Sequence, residues 1–401
     1  MSSTASEQHT LVRVTGQDVP GIAAALTGAL VEHRVPLRDI EQVVVQGCLI
    51  LCLVVDGLTG ECMADLRAVA SRFELEIDAR PIAFKAPRPS AGRMAITAIG
   101  DGLDAEGVQQ LTEVLAQEQA NIAQAHRLST DPLHSMELIC ELPAEMEPGA
   151  LRRRLLAALS DKDVDIAVQP DRLTRRRKRL IVFDMDSTLI QAEVIDELAR
   201  AHGVYEEVSA ITHRAMAGEL DFEASLRARV SRLEGLSVTR AREVAEALPL
   251  TPGARELIQA LKALGFTTAV ISGGFTFAAR MLQARLGLDD AFANTLEVQS
   301  GVITGQLKGA IVTPQRKADL LDTLAQREGI LLEQAVAVGD GANDLEMLAR
   351  AGLGIAFHAK PRVYAAADTA LSAGGLDRVL YLLGLRQWEV EELLSEADAG
   401  F

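Results

Sequence analysis

The sequence lacks any long uninterrupted apolar run. None of its 401 residues belongs to a stretch approaching the roughly 20 apolar residues that a membrane-spanning helix needs. The first ten residues, MSSTASEQHT, are polar and have neither the basic start nor the apolar core of a secretory signal. These absences predict a soluble cytoplasmic protein.

Acidic residues outnumber basic ones. Lysine and arginine number 40 against 56 aspartates and glutamates, which gives a formal net charge of -16. A nucleic-acid partner requires a basic surface, so this balance argues against one. A small anionic substrate remains compatible, because a single pocket can be locally positive.

Cysteine is scarce as well. The four cysteines are Cys48, Cys52, Cys62 and Cys140. Their spacing is not CxxC, and no histidine pair completes a zinc site. We therefore expect reduced, mostly buried thiols with a packing role.

The first 170 residues contain one pattern of elements twice. Each copy is predicted to run strand, helix, strand, strand, helix, strand, and Leu11 in the first copy corresponds to Met94 in the second. The segment KAPRPSAGR between the copies has the composition of a linker. The pattern predicts two ferredoxin-like βαββαβ domains, at 1–86 and 92–170.

A short motif in the first copy points to a ligand. Residues Asp18 to Gly21 read D-V-P-G between the first strand and the first helix, which resembles the amino-acid-binding ACT regulatory module. Such a turn exposes the N–H groups of a helix N-terminus, which can hold a carboxylate. In the second copy, which lacks the proline, Gly107 is the nearest match to Gly21. The alternative is that Asp18 only caps the helix.

The pattern changes after a basic segment, DRLTRRRKR, at 171–179. We interpret this segment as a solvated connector, with attraction of an anionic substrate as the alternative. From 180 to 401, apolar strands alternate with amphipathic helices, which predicts an α/β domain with a parallel sheet. The helical, charged stretch at about 194–250 is too long for a simple crossover and is predicted to form a cap over the site.

Two carboxylates directly follow the first strand of this domain. In DMDST, one of Asp184 and Asp186 can attack phosphorus and form an aspartyl-phosphate, and the other can protonate the leaving oxygen and then deprotonate water. The strand predictions put both at the carboxyl edge of the sheet, where open α/β sheets bind ligands. Taken alone, the pair could be capping aspartates.

The rest of the chain supplies the partners of this pair. Ser272 and Gly273 follow a second strand, Lys317 comes later, and GDGAND follows a third strand. This order resembles the haloacid dehalogenase superfamily and implies a Rossmann-like core. It also implies that Asp184 is the nucleophile, that Asp186 is the acid and base, and that one Mg²⁺ is held by Asp184, Asp340 and the backbone carbonyl of Asp186. The remaining implied roles are phosphate contacts from Ser272, Gly273 and Lys317, a phosphate or substrate contact from Asn343, and support of the metal by Asp344.

Further segments resemble the phosphoserine phosphatase family. By that resemblance, Glu193 takes the ammonium of O-phospho-L-serine, Arg229 takes its carboxylate, and Met216 and Phe222 of the cap exclude water. TLEVQSGVITGQL resembles the family's β-hairpin. The alternatives are a surface role for Glu193 and Arg229 and a cap-core role for Met216 and Phe222.

The resemblance predicts a phosphatase for the final step of serine synthesis, regulated by an amino acid such as L-serine and assembled as a homodimer or larger homo-oligomer. Two alternatives stay open. One is a phosphatase or phosphotransferase acting on another phosphorylated metabolite. The other is an amino-acid sensor whose catalytic domain is inactive, which intact Asp184, Asp186, Lys317 and Asp340 argue against.

Overall fold

The structure, a computed structural model, describes residues 9–83, 92–130, 134–143, 145–360, 363–364, 367 and 369–399, apart from the side chains of 176, 216 and 396–399. Its contacts divide the chain into two units, Met1–Pro89 and Ser90–Phe401. Within the described residues, no helix is both long enough and apolar enough to span a membrane.

The first unit has the predicted βαββαβ order. Its elements are β1 (His9–Gln17), α1 (Ile22–Glu32), β2 (Leu37–Val45), β3 (Cys48–Asp56), α2 (Gly60–Arg72) and β4 (Glu76–Ile82). The strands form one antiparallel sheet in the order β2-β3-β1-β4. Leu26 and Leu66 of the helices pack in one buried cluster with Val12 and Leu51 of the sheet. The ferredoxin-like prediction is confirmed.

The second unit begins with the same arrangement. Its first elements are β5 (Arg93–Ile99), α3 (Ala105–Gln117), β6 (Asn121–Arg127), β7 (Ser135–Glu141), α4 (Pro148–Ala158) and β8 (Asp165–Pro170). The strand order β6-β7-β5-β8 repeats that of the first sheet. The four cysteines carry free thiols, and two of them, Cys62 and Cys140, are buried.

A predominantly parallel sheet follows. The strands are β9 (Leu180–Phe183), β10 (Thr267–Phe275), β11 (Asp290–Gln299), β12 (Val302–Lys308), β13 (Ala335–Gly339), β14 (Leu353–Phe357) and β15 (Thr369–Leu371), in the order β12-β11-β10-β9-β13-β14-β15. Only β12 runs antiparallel to its neighbour, which makes the predicted hairpin with β11. Since β10 and β13 flank β9 on opposite sides, a crevice forms at the carboxyl end of β9.

Helices surround this sheet and form the cap. The cap helices are α5 (Val194–His202), α6 (Tyr205–Met216), α7 (Phe222–Ser231) and α8 (Val238–Glu246). The others are α9 (Ala254–Ala263), α10 (Thr276–Leu286), α11 (Pro314–Arg327), α12 (Leu345–Arg350), α13 (Val379–Leu382) and α14 (Gln387–Ala399). The two chain segments that enter and leave the cap meet where Ile190 forms a β-bridge with Leu250. A helical cap inserted after the first strand of the sheet is thus confirmed.

The second βαββαβ domain is joined to the parallel sheet by buried polar contacts. Asp165 at the start of β8 is 4% exposed and accepts hydrogen bonds from the backbone N and the Oγ of Ser372, just after β15, at 2.6 and 3.0 Å. Gln169 donates from Nε2 to the carbonyl of Leu382 at 3.1 Å. Burial raises the pKa of Asp165 above its usual range, although the bonds from Ser372 oppose this.

We expect Asp165→Ala to lower the free energy of unfolding of the second unit by about 1–2 kcal/mol, because it removes the acceptor of two bonds that link β8 to the segment after β15. Urea unfolding followed by circular dichroism measures the change. Asp163→Ala, at an exposed side chain two residues earlier, is the matched control. Equal stability of the two variants would contradict the prediction.

The basic segment 171–179 differs from the expected solvated connector. Arg175 is 4% exposed and forms a buried ion pair with Glu137 of β7. Lys178 is 7% exposed and donates from Nζ to the carbonyl of Glu333 at 2.6 Å. For these two residues the connector interpretation is wrong, because β7 and the turn before β13 supply partners that local sequence does not reveal.

Candidate active site

Asp184 lies where strand β9 ends. The chain turns after Phe183, and the N–H groups of Thr188, Leu189 and Ile190 all donate to the carbonyl of Met185. The Asp184 side chain is 3% exposed, and its Oδ1 accepts from the Met185 N–H at 2.7 Å. These bonds fix the carboxylate at the carboxyl edge of the sheet.

Lys317 neutralises the carboxylates next to it. Helix α11 begins at Pro314 with Thr313 as its cap, and it carries Lys317 into a fully buried position. The Lys317 Nζ lies 2.8 Å from Oδ1 of Asp184 and 2.6 Å from Oδ1 of Asp344. Burial alone would lower the pKa of Lys317, but the two carboxylates raise it, so the side chain stays charged.

Three carboxylates converge at this edge in a way that suits a metal ion. One oxygen from each of Asp184, Asp340 and Asp344 lies within 4.8 Å of the others. Burial, together with Asp184 and Asp344, raises the pKa of Asp340 to about 8, a sign of excess negative charge. Hard oxygen donors in such a cluster fit a divalent cation. Lys317 offsets only part of that charge.

Asp344 is the least available of the three as a metal ligand. Its Oδ1 accepts from Lys317, and its Oδ2 accepts from the Gly341 N–H at 3.0 Å. Burial and the nearby Asp184 raise the pKa of Asp344 to about 7 in spite of Lys317. With both oxygens engaged, Asp344 orients Lys317 and the loop after β13. Its expected support of the metal stays a prediction.

Asp186 lies on the other side of the turn that follows Asp184. Its Oδ1 accepts from the Val194 N–H at 2.8 Å, and its Oδ2 lies 3.5 Å from the Oγ of Ser272. Burial, reinforced by Glu193 and Asp184, raises the pKa of Asp186 well above its usual range. A carboxyl group whose pKa is raised towards neutrality in this way is suited to proton transfer.

The segment Ser272-Gly273-Gly274 faces Asp186 from strand β10. The register between β10 and β11 shifts between Ile271 and Phe275, so these three residues leave the regular ladder. Ser272 is fully buried and accepts at Oγ from the Gly274 N–H at 2.8 Å. A hydroxyl and N–H groups at a strand end can bind phosphate oxygens.

Asn294 holds this segment in place, a role that the sequence analysis missed. Its Nδ2 donates to the carbonyl of Gly273 at 2.7 Å, and its Oδ1 accepts from the Val312 N–H at 2.8 Å. The side chain is 2% exposed. Nothing in the local sequence indicates that an asparagine in β11 bonds to a residue 21 positions earlier.

We expect Gly274→Ala to lower kcat about tenfold. A Cβ at this position would lie 2.5 Å from Cε of Met185 and 2.8 Å from Oδ2 of Asp186, so the Asp186 carboxyl group must move. Steady-state kinetics measure the effect. Gly28→Ala is the control, because a Cβ there meets nothing within 4 Å. An unchanged kcat for Gly274→Ala would contradict this placement of Asp186.

Opposite charges face each other at the mouth of the cleft. Glu193, just before α5, is solvent accessible, and its Oε1 accepts from the Ser187 Oγ at 3.0 Å. Partial desolvation by the cleft walls raises the pKa of Glu193, and Asp184 adds to this. Partial burial lowers the pKa of Arg229 on α7, opposed by Glu193 and Asp196. Among the described residues, no acceptor reaches the buried Nε of Arg229.

Of the other residues predicted for the cleft, the structure describes Phe222 and Asn343 but not the side chain of Met216. Phe222, at the start of α7, packs against Gly273. A Cβ added at Gly273 would lie 3.2 Å from Cζ of Phe222. The cap therefore touches the Ser-Gly-Gly segment. Asn343 is half-buried in the loop after β13. The side chain of Met216 lies outside the described part of the chain, so its predicted role stays a prediction.

The two glycines expected to mark effector sites, Gly21 and Gly107, differ in how open the surrounding turn is. Gly21 precedes α1 with φ 96°, and among the described residues no side chain caps that helix. Asp18 is exposed and donates its N–H to the carbonyl of Gly47 at 2.9 Å. Gly107 lies inside the first turn of α3, and its N–H donates to Oδ1 of Asp104 at 2.8 Å. The turn before α1 is thus the more open of the two.

Known protein families match most of the chain. A family model for haloacid dehalogenase-like hydrolases matches residues 178–352, and two ACT-domain models match residues 8–80 and 93–169. Among solved structures, a probable phosphoserine phosphatase from Vibrio cholerae superposes with a TM-score of 0.59 at 39% identity, covering 77% of this chain and 90% of that one.

Curated relatives match over nearly the whole length. A phosphoserine phosphatase from Streptomyces coelicolor is 44% identical over 99% of this chain and 97% of its own. Phosphoserine phosphatase SerB2 of Mycobacterium tuberculosis is 42% identical over 97% of this chain and 95% of its own. With two ACT domains before a hydrolase domain, the chain is an enzyme that belongs to the phosphoserine phosphatase family of haloacid dehalogenase-like hydrolases.

Proposed function

We propose that this protein hydrolyses O-phospho-L-serine to L-serine and phosphate, as the final step of serine synthesis. The observation that carries the proposal is that one cleft contains two groups suited to the two ends of phosphoserine. The carboxylate of Asp184, held by Lys317, lies at the end of β9, and the cap carries Arg229, whose buried Nε meets no acceptor among the described residues. The first suits attack on a phosphate and the second suits the carboxylate of an amino acid.

The proposed reaction proceeds in two steps at phosphorus. An oxygen of Asp184 forms a bond to phosphorus while the bond from phosphorus to the serine oxygen breaks, and Asp186 gives that oxygen its proton. Water then attacks phosphorus, Asp186 takes a proton from the water, and phosphate leaves Asp184. Among described residues, hydrogen bonds engage only Oδ1 of Asp184, which leaves Oδ2 for attack.

Lys317, Ser272 and the N–H of Gly273 are proposed to bind the phosphoryl oxygens through both steps. Mg²⁺ is the proposed cofactor, held by Asp184, Asp340 and the Asp186 carbonyl, and when bound it supplies positive charge that offsets repulsion between carboxylate and phosphate. Asn343 is proposed to contact phosphate or substrate.

Substrate selection is assigned to the mouth of the cleft. Glu193 is proposed to bind the ammonium and Arg229 the carboxylate, so that only a zwitterionic phosphate ester makes both contacts. Phe222 and Met216 are proposed to exclude water when the cap is closed, which the contact of Phe222 with Gly273 supports.

L-serine is the proposed effector, and the protein is proposed to act as a homodimer or larger homo-oligomer. The turn from Asp18 to Gly21 is the more suitable effector site, because no described side chain caps α1, whereas Asp104 already caps α3. Loss of the serine response in Asp18→Ala, with the response retained in Asp104→Ala, would support this assignment. The reverse result would move the effector to the second ACT domain.

The test is phosphate release from a panel of phosphate esters. Turnover of O-phospho-L-serine is expected to exceed that of phosphothreonine and of an achiral aryl phosphate, to stop with EDTA and to return with Mg²⁺. Magnesium-dependent turnover of other esters but not phosphoserine would keep the chemistry and reject the substrate. Inactivity towards every ester in clean protein with Mg²⁺ would favour an amino-acid sensor.

A further inference from the structure

A second pocket lies in the hydrolase domain, away from the cleft with Asp184. Its volume is about 580 Å³, within the range of small-molecule sites. It is bounded by the basic segment before β9, the residues just before β10, the end of α11 and the turn after α13. Its lining includes Arg175, Arg177, Lys178, Arg179, Phe266 and Glu328.

The pocket is positively charged in an acidic protein. Four cationic side chains and one carboxylate, Glu328, line it, whereas the whole chain has a net charge of -16. Glu328 is already engaged by Arg327 at 3.0 Å and by the Oγ1 of Thr267 at 3.0 Å. Such a local excess of positive charge attracts anions.

Its cations are largely unpaired. Within the described part of the chain, Arg177, Lys178 and Arg179 form no ion pair with any carboxylate. Arg177 and Arg179 are exposed, so their guanidinium groups are free to turn towards a ligand. Burial lowers the pKa of Lys178 to about 8, helped by Arg175, and an anion in the pocket would favour its charged form.

Arg175 forms part of the wall and connects the pocket to the second ACT domain. It pairs with Glu137 of β7, yet no acceptor among the described residues reaches its buried Nε and Nη1. One carboxylate therefore leaves much of this guanidinium's hydrogen-bonding capacity unused. Because Glu137 offsets its charge, Arg175 contributes unmatched N–H donors rather than net charge to this wall.

The pocket is separate from the catalytic cleft. Arg179 immediately precedes β9 and Phe266 immediately precedes β10, so the pocket lies at the amino edge of the sheet. Asp184 and Ser272 lie at the carboxyl edge. The four residues of β9 alone span roughly 13 Å at about 3.3 Å per residue.

We propose that this pocket binds a small phosphate-bearing anion at a site distinct from the catalytic one. Its volume suits a small molecule better than a protein segment, and guanidinium groups can grip phosphate with paired hydrogen bonds. A ligand here contacts the segment that joins the second ACT domain to the first strand of the catalytic sheet. A bound ligand is therefore expected to stabilise that junction.

Pyrophosphate is the probe, titrated calorimetrically into the full-length protein at low ionic strength without Mg²⁺. Without Mg²⁺ the catalytic cleft keeps its excess of carboxylates and repels pyrophosphate, so the wild-type protein is expected to show one site, in the pocket. In Arg177→Ala/Arg179→Ala, binding at this site is expected to weaken at least tenfold. The KM for phosphoserine should stay unchanged, which shows that the cleft remains folded.

The control is Arg67→Ala/Arg240→Ala, which removes the same charge from exposed positions outside the pocket. It is expected to bind pyrophosphate as the wild type does. A single wild-type site displaced by phosphoserine would overturn the proposal. Equal pyrophosphate binding by the pocket variant and the wild type, or an equal loss in the control, would overturn it too.

Discussion

Replacement of Asp184 by asparagine is expected to reduce phosphate release from phosphoserine by at least about 10⁴-fold. Asparagine has nearly the same shape, and its carbonyl can still accept from the Met185 N–H and Lys317 Nζ, which lie 2.7 and 2.8 Å from Oδ1. The loss of turnover is then due to the missing nucleophile and not to a disrupted site. Single-turnover phosphate release with saturating substrate and Mg²⁺ measures it.

The same variant separates covalent catalysis from simple activation of water. Protein-bound phosphate should be trapped by acid quench of the wild type and be absent from Asp184→Asn. Asp161→Asn, at an exposed carboxylate outside the cleft, serves as the control and should retain full turnover. Residual activity of Asp184→Asn within a hundredfold of the wild type would show that another group attacks phosphorus.

The acidic residues of the cleft were predictable because strand ends are visible in sequence. Asp184 and Asp340 each follow a short apolar segment, and parallel strands align their carboxyl ends along one edge. Lys317 has no such local signal, since it lies in a helix whose exposed face is also charged. Only its place in the family pattern singled it out, and the structure brings it to Asp184.

Contacts between distant segments escaped the sequence analysis. Asp165 reaches Ser372 across 207 residues, and Arg175 reaches Glu137 across 38. Both aspartate and arginine are ordinarily surface residues, so their burial depends on a partner that periodicity cannot identify. Asn294 escaped for the same reason, because its two hydrogen bonds go to loops on either side of it in the sequence.

Substitution of Arg229 by alanine is expected to lower kcat/KM for phosphoserine about 100-fold, mainly through KM. The proposed contact with the substrate carboxylate is charge-assisted, and such bonds are worth about 1.5–3 kcal/mol. An achiral aryl phosphate has no carboxylate, so its kcat/KM should change less than about threefold by the same reasoning. Parallel steady-state kinetics on the two substrates measure this difference.

Arg227 provides the matched control for Arg229. It lies two residues earlier on α7, is exposed and pairs with Glu223 on the same helix at 2.7 Å. Arg227→Ala removes the same charge and side chain from the cap without touching the cleft, so both substrates should be turned over normally. Equal losses on the two substrates in Arg229→Ala would mean that the arginine only supports the cap. A loss confined to phosphoserine ties this residue to the amino-acid part of the substrate, because the phosphoryl chemistry at Asp184 is common to both esters.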